Sequence, residues 1–87
     1  MTDESNVPPK MANAFRITLE LLRAEPRLDN VLLNALREQS ENATLKVISR
    51  GALKNLFTEK KIFIKGQRAK SSSSLAKGTT YVDIIGY

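Results

Sequence analysis

No cysteine and no histidine occur in this chain of 87 residues, which removes disulfides, the usual zinc ligands, thiol nucleophiles and any imidazole acid or base. Most enzyme chemistry therefore has no residue to stand on. Aromatic side chains are scarce, with three Phe and two Tyr. Phe15 and Phe57 read as core, Phe63 is open between core and surface, and Tyr81 and Tyr87 read as packing or strand residues rather than base platforms. Apolar runs are only a few residues long, so nothing spans a membrane. The polar opening from Met1 to Ser5 is not a signal peptide, and a cytoplasmic, bacterial-type protein is expected. Neither a cofactor nor a metal is implied.

Acidic residues are missing from one long stretch. Between Asn42 and Val82 the only acid is Glu59, while nine of the fourteen bases fall there: Lys46, Arg50, Lys54, Lys60, Lys61, Lys65, Arg68, Lys70 and Lys77. Residues 1–41 carry five bases against seven acids, so the net charge of +5 is a local excess. That pattern is the footprint of a surface that meets a polyanion, nucleic acid being the commonest. A lysine-rich solvated face is the plainer alternative.

The length allows one domain, burying about 60–65% of its unfolded surface. Residues 1–13, with Pro8 and Pro9, read as a disordered arm, and residues 14–87 as the folded domain. Phe15, Ile17, Leu19 and Leu21 alternate with polar residues in the period of a half-buried strand, although Leu22 breaks the alternation and keeps a helix open. After Pro26, Leu28, Val31, Leu32, Ala35 and Leu36 recur at helical spacing, which predicts a first helix over 28–39. Residues 38–44 read either as a loop or as an extension of that helix. Ser49 is a good N-cap for a second helix over 50–58, with Leu53, Leu56 and Phe57 on its apolar side and Arg50 and Lys54 four apart on another.

Beyond Lys60 the period becomes two. Ile62 and Ile64 point one way and Lys61, Phe63 and Lys65 the other. Lys65 and Gly66 form a tight turn, residues 67–70 return as a partner strand, and residues 80–85 close the sheet. Ser71 to Ser74 suit a solvated, flexible loop, with hydrogen bonding to phosphates as the alternative. Glu20 and Glu25 have no partner carboxylate at a spacing that suggests chemistry, and Asp29 caps the first helix or orients Arg27. The fold class is α+β, a two-helix hairpin packed on a small, mostly antiparallel sheet.

Four groups of residues carry a resemblance. They are Arg27-Leu28-Asp29 with Leu32, Ser49-Arg50 with Leu53, Lys54 and Leu56, Ile62 and Ile64 with Gly66, and Leu75 with Gly78 and Val82. In this order and spacing they resemble the S-four domain, the αL-type RNA-binding motif first recognised in small-subunit ribosomal protein number four. The likeness covers roughly residues 14–85 and is strongest to the N-terminal appendage of large-subunit rRNA pseudouridine synthases. Two departures stand out: the stretch between Asp29 and Ser49 is longer than the family pattern, and Lys60 and Lys65 stand where the family often has glycine and asparagine.

The resemblance implies a monomeric module that grips structured RNA, rRNA above all, either alone or as the targeting domain of such an enzyme. Those enzymes perform RNA modification with a separate catalytic domain. None is expected of this chain, and Asp29 is not its catalytic aspartate, because it belongs to the binding module's own Arg-Leu-Asp. The residues expected to meet phosphates are Arg27, Ser49, Arg50, Lys54, Lys60, Lys61, Lys65, Arg68 and Lys70. Arginine forks two hydrogen bonds to one phosphate, so Arg27 and Arg50 are the sharper candidates. Ser49 reads equally as an ordinary cap. Two other classes remain: a DNA-binding winged helix, with the second helix for recognition and the hairpin as wing, and a ribosome-associated interaction domain whose basic face only solubilises.

Overall fold

The computed structural model describes residues 13–87. Strand β1, Ala14–Leu21, runs antiparallel to the last strand, and the alternation at its start is indeed strand. Three helices follow: α1 Leu28–Glu38, α2 Ala43–Lys46 and α3 Arg50–Thr58. Strands β2 Ile62–Ile64, β3 Gln67–Arg68 and β4 Gly78–Ile85 complete an antiparallel sheet in the order β1-β4-β2-β3. The expected arm falls on residues 1–13, of which 1–12 lie outside the described residues. Asn13 is already tied down, its carbonyl accepting the Gly86 N–H at 2.6 Å.

Register assigns the two faces of the sheet. Ile17 opposes Val82, while Ile62 and Ile64 oppose Ile84 and Val82. These side chains form one cluster with Leu28, Leu32, Leu33 and Leu36 of α1, Leu45 of α2, and Leu53, Leu56 and Phe57 of α3. The helices therefore cover one face. Leu33 corrects the expected pattern: it is buried, whereas Val31 and Ala35 are only partly so. Among the described residues no helix is long and apolar enough to cross a membrane.

The undecided stretch after α1 is a capped link. Gln39 donates from Nε2 to the carbonyls of Leu36 at 3.1 Å and Asn42 at 2.8 Å and accepts the Asn42 N–H at 2.8 Å. Asn42 then caps α2 by accepting from Leu45 N–H at 3.0 Å. The added length thus buries Leu45 and Ile48 under the helices. Lys46 donates to the carbonyls of Arg37 at 2.8 Å and Gln39 at 3.1 Å, a cation at the negative end of α1. One member of the basic excess is consumed in holding the fold.

Ser49 caps α3, its Oγ accepting from Ala52 N–H at 3.1 Å. Ser49→Ala is expected to lower stability by about 1 kcal/mol in urea unfolding with the folded spectrum retained. A loss below a few tenths would show that the cap is dispensable. The other end of α3 closes in the pattern of a left-handed C-terminal cap. Lys60 N–H meets the Phe57 carbonyl at 3.1 Å and Lys61 N–H the Leu56 carbonyl at 3.0 Å, with Lys60 at φ 62°. Lys65 repeats this conformation at φ 53°, before Gly66 at φ 76° in the β2–β3 turn.

The returning strand is shorter than expected, Gln67–Arg68 rather than 67–70, and β4 begins two residues earlier, at Gly78. Residues 71–74 also need correction. Rather than a merely solvated loop, they dock on the start of α1, where the Ser73 carbonyl accepts Leu28 N–H at 2.8 Å and the Ser71 carbonyl accepts Asp29 N–H at 3.1 Å. A helix start leaves N–H groups without intrahelical partners. Arg27, at the N-cap, offers no side-chain cap, so the serine loop supplies the acceptors.

Candidate nucleic-acid interface

The docked serine loop brings Ser71 beside the mouth of α1. Helix α3 packs against α1 through Leu53, Leu56 and Phe57, and this turns Arg50 and Lys54 toward the same place. The result is a cavity of about 250 Å³ lined by Arg27, Asp29, Arg50, Leu53, Lys54 and Ser71. Three of the expected residues, from two helices, thus share one recess.

Each cation is positioned differently. Arg27 Nε and Nη2 donate to the two carboxylate oxygens of Asp29 at 3.2 and 3.1 Å, a two-point fork that fixes the guanidinium plane. Asp29 also accepts Asn30 N–H at 2.8 Å. It therefore orients Arg27, one of the two roles expected of it. The Arg27 hydrogen bond, opposed by partial desolvation and aided by Asn30 N–H and the charges of Arg27 and Arg50, holds the Asp29 carboxyl below its ordinary range. A lowered folded value means that the pair is intact above that range and is lost only as pH falls through the folded value. At neutral pH the fork stands.

Arg50 Nη1 donates to Asn30 Oδ1 at 2.8 Å, linking α3 to the first turn of α1. Lys54, one turn further along α3, is exposed. Asn30 was not singled out from sequence, because its tie to Arg50 spans twenty positions and depends on helix packing. Ser71, expected in a flexible loop or as a hydrogen-bonding partner for phosphate, lines the recess. Asn30 carries no local signal.

The remaining expected residues lie apart from this cavity. Lys60 and Lys65 occupy left-handed turns, and Lys61 pairs with Glu59 at 3.2 Å. Arg68 is exposed on β3, and Lys70 N–H donates to Ser73 Oγ at 2.9 Å. Ser49 is engaged as the α3 cap and does not line the recess. A larger groove of about 510 Å³ lies between β1 and α1, but Glu20, Glu25 and Glu38 line it, the wrong sign for a polyanion.

The most buried ion pair was not expected from sequence. Arg16 on β1 forks to Asp83 on β4, Nε to Oδ1 at 2.8 Å and Nη2 to Oδ2 at 3.0 Å, and Asp83 is only 2% exposed. The hydrogen bond to Asp83 raises the Arg16 pKa against partial desolvation, and the guanidinium lies 5.4 Å from the centroid of the Tyr81 ring. Among the described residues no cluster of acidic side chains could hold a metal ion. Comparison of the chain with protein-family models, with curated proteins and with solved structures finds no match.

Proposed function

We propose that this domain binds structured RNA, rRNA in the first instance, by gripping its backbone at the Arg27–Arg50–Lys54 recess. One observation carries this: cations distant in sequence line a single cavity, with the Arg27 guanidinium already fixed by Asp29. A pre-oriented guanidinium loses little freedom on meeting a phosphate. Lys54 adds a point charge that can follow the backbone. In A-form RNA the base edges are hidden, so backbone contacts and shape are what such a surface can read.

Further support comes from the turns. A non-glycine residue in the left-handed region costs about 1–2 kcal/mol, yet lysines hold both Lys60 and Lys65. These are positions where the S-four family, which the chain resembles, often has glycine and asparagine. Both turns thereby present an exposed cation where glycine would present no side chain, which adds to the charge a polyanion would meet outside the recess. The domain acts as a stand-alone cytoplasmic module or as the targeting arm of an rRNA pseudouridine synthase, and it performs no catalysis itself. Against the winged-helix alternative, the β2–β3 hairpin is short, with β3 only two residues long and a two-residue turn, so little of it projects as a wing.

Fluorescence anisotropy against a labelled RNA hairpin and a DNA duplex of matched length, across a salt series, tests the proposal. Tighter binding to the hairpin is expected, with log affinity falling steeply with log salt. Arg50→Ala should weaken it roughly tenfold or more and reduce the slope by about 1, with the melting curve little changed. Preference for the duplex, or an unaltered affinity in the variant, would overturn it.

A further inference from the structure

The sheet face turned away from the helices carries a different set of residues. Arg16, Asp83, Phe63 and Arg68 form one row across β1, β4, β2 and β3, and Thr18 and Tyr81 begin the next. Phe63 and Tyr81 are diagonal neighbours on adjacent strands, within reach of one another. Phe15 and Ile64 pack against the core, whereas Phe63 is not part of that packing; Phe63 and Tyr81 are partly buried. Two aromatic rings thus sit on the outer face of a four-stranded sheet, Phe63 and, with the Arg16 guanidinium 5.4 Å from its centroid on one side, Tyr81, whose other side is left for stacking.

Charge on this face has one dominant sign. Arg68 ends the Phe63 row, and Lys65 and Lys77 line, with Tyr81 and Thr80, a groove of about 470 Å³ beside it. Asp83 is neutralised by the Arg16 fork, and Glu20, at the far end of β1, accepts a hydrogen bond from the Thr79 hydroxyl. Aromatic planes give a nucleobase a stacking partner whatever its identity, and flanking cations meet the phosphates between bases. An acidic peptide would satisfy the cations but leave the rings unused.

We propose that this outer face is a second nucleic-acid site, one that stacks unpaired bases of a single strand on Phe63 and Tyr81 while Arg68, Lys65 and Lys77 hold its backbone. The face uses none of the residues of the helix recess. It would receive a strand leaving a folded RNA held there, and in that respect it extends the function proposed above. The RNA class it selects is a hairpin with an unpaired extension.

Anisotropy with a blunt hairpin, the same hairpin carrying a short unpaired extension, and the extension alone separates the two sites. The extension contains the fluorescent base 2-aminopurine. It should tighten hairpin binding roughly tenfold and be quenched on stacking. Phe63→Leu, which keeps apolar bulk over Asp83, should abolish both effects while leaving blunt-hairpin affinity and the melting curve unchanged. Arg50→Ala should weaken both hairpins alike and spare the gain from the extension.

Failure of the blunt hairpin to bind, with the extension alone still quenched by the wild type and not by Phe63→Leu, would remove the recess and leave the sheet site standing. An extension that adds nothing would overturn the sheet site. So would a gain that survives Phe63→Leu, or an unquenched extension displaced equally by polyglutamate.

Discussion

Leu53→Ala is expected to destabilise the domain by about 2–5 kcal/mol, the range for truncating a buried leucine where the surroundings relax only in part. Leu53 is 1% exposed and packs in the cluster between α3 and α1 while also flooring the Arg27–Arg50–Lys54 recess. A domain of this size has a stability of roughly 4–13 kcal/mol, so the loss is a large part of the whole. Urea unfolding should show a lower midpoint with little change of slope. An unchanged midpoint would mean that the apolar side of α3 does not face the core, and the placement of Arg50 and Lys54 would fall with it.

Asp83→Ala should be nearly as damaging. Taking away one partner of a buried pair removes both charge-assisted hydrogen bonds of the fork, and such losses run to about 3–5 kcal/mol when both groups are fully enclosed. Arg16 retains 15% side-chain exposure and can turn partly to water, which lowers the expectation to about 2–4 kcal/mol. A double-mutant cycle with Arg16→Leu isolates the pair, and a coupling of about 1–3 kcal/mol is expected for groups joined by two hydrogen bonds. Additive losses would contradict a working pair. The double variant should recover part of the loss, because both charges of the pair are then removed together.

Local periodicity explains why so much of the fold was legible. Phe15, Ile17, Leu19 and Leu21 share one face of β1 because strand side chains alternate, and Leu28, Leu32 and Leu36 share one face of α1 because of its near four-residue return. Ser49 announced α3 because its capping bond reaches only three residues. The missed features are those whose partners lie far along the chain. Arg16 and Asp83 are sixty-seven positions apart and meet only through the β1–β4 register. Residues 71–74 looked solvated because they have no apolar side chain, yet it is their carbonyls that complete α1.

The recess itself was half legible. Arg27, Arg50 and Lys54 were named from the charge excess and the family resemblance, but the same reasoning gathered Lys60, Lys61, Lys65, Arg68 and Lys70 onto one surface. Charge counting does not see that a sheet has two faces. Register does, because it sets Phe63 against Asp83 and Arg68 while Ile62 turns into the core.

The most direct test of the central claim is NMR titration of the isotope-labelled protein with an unlabelled blunt RNA hairpin, following backbone amides and arginine side-chain N–H signals. Binding at the recess predicts the largest shifts at Arg27, Arg50, Lys54 and Ser71, with the acidic groove around Glu20 and Glu38 silent. Shifts centred on that groove, or none at concentrations where a basic control peptide binds the same hairpin, would contradict it.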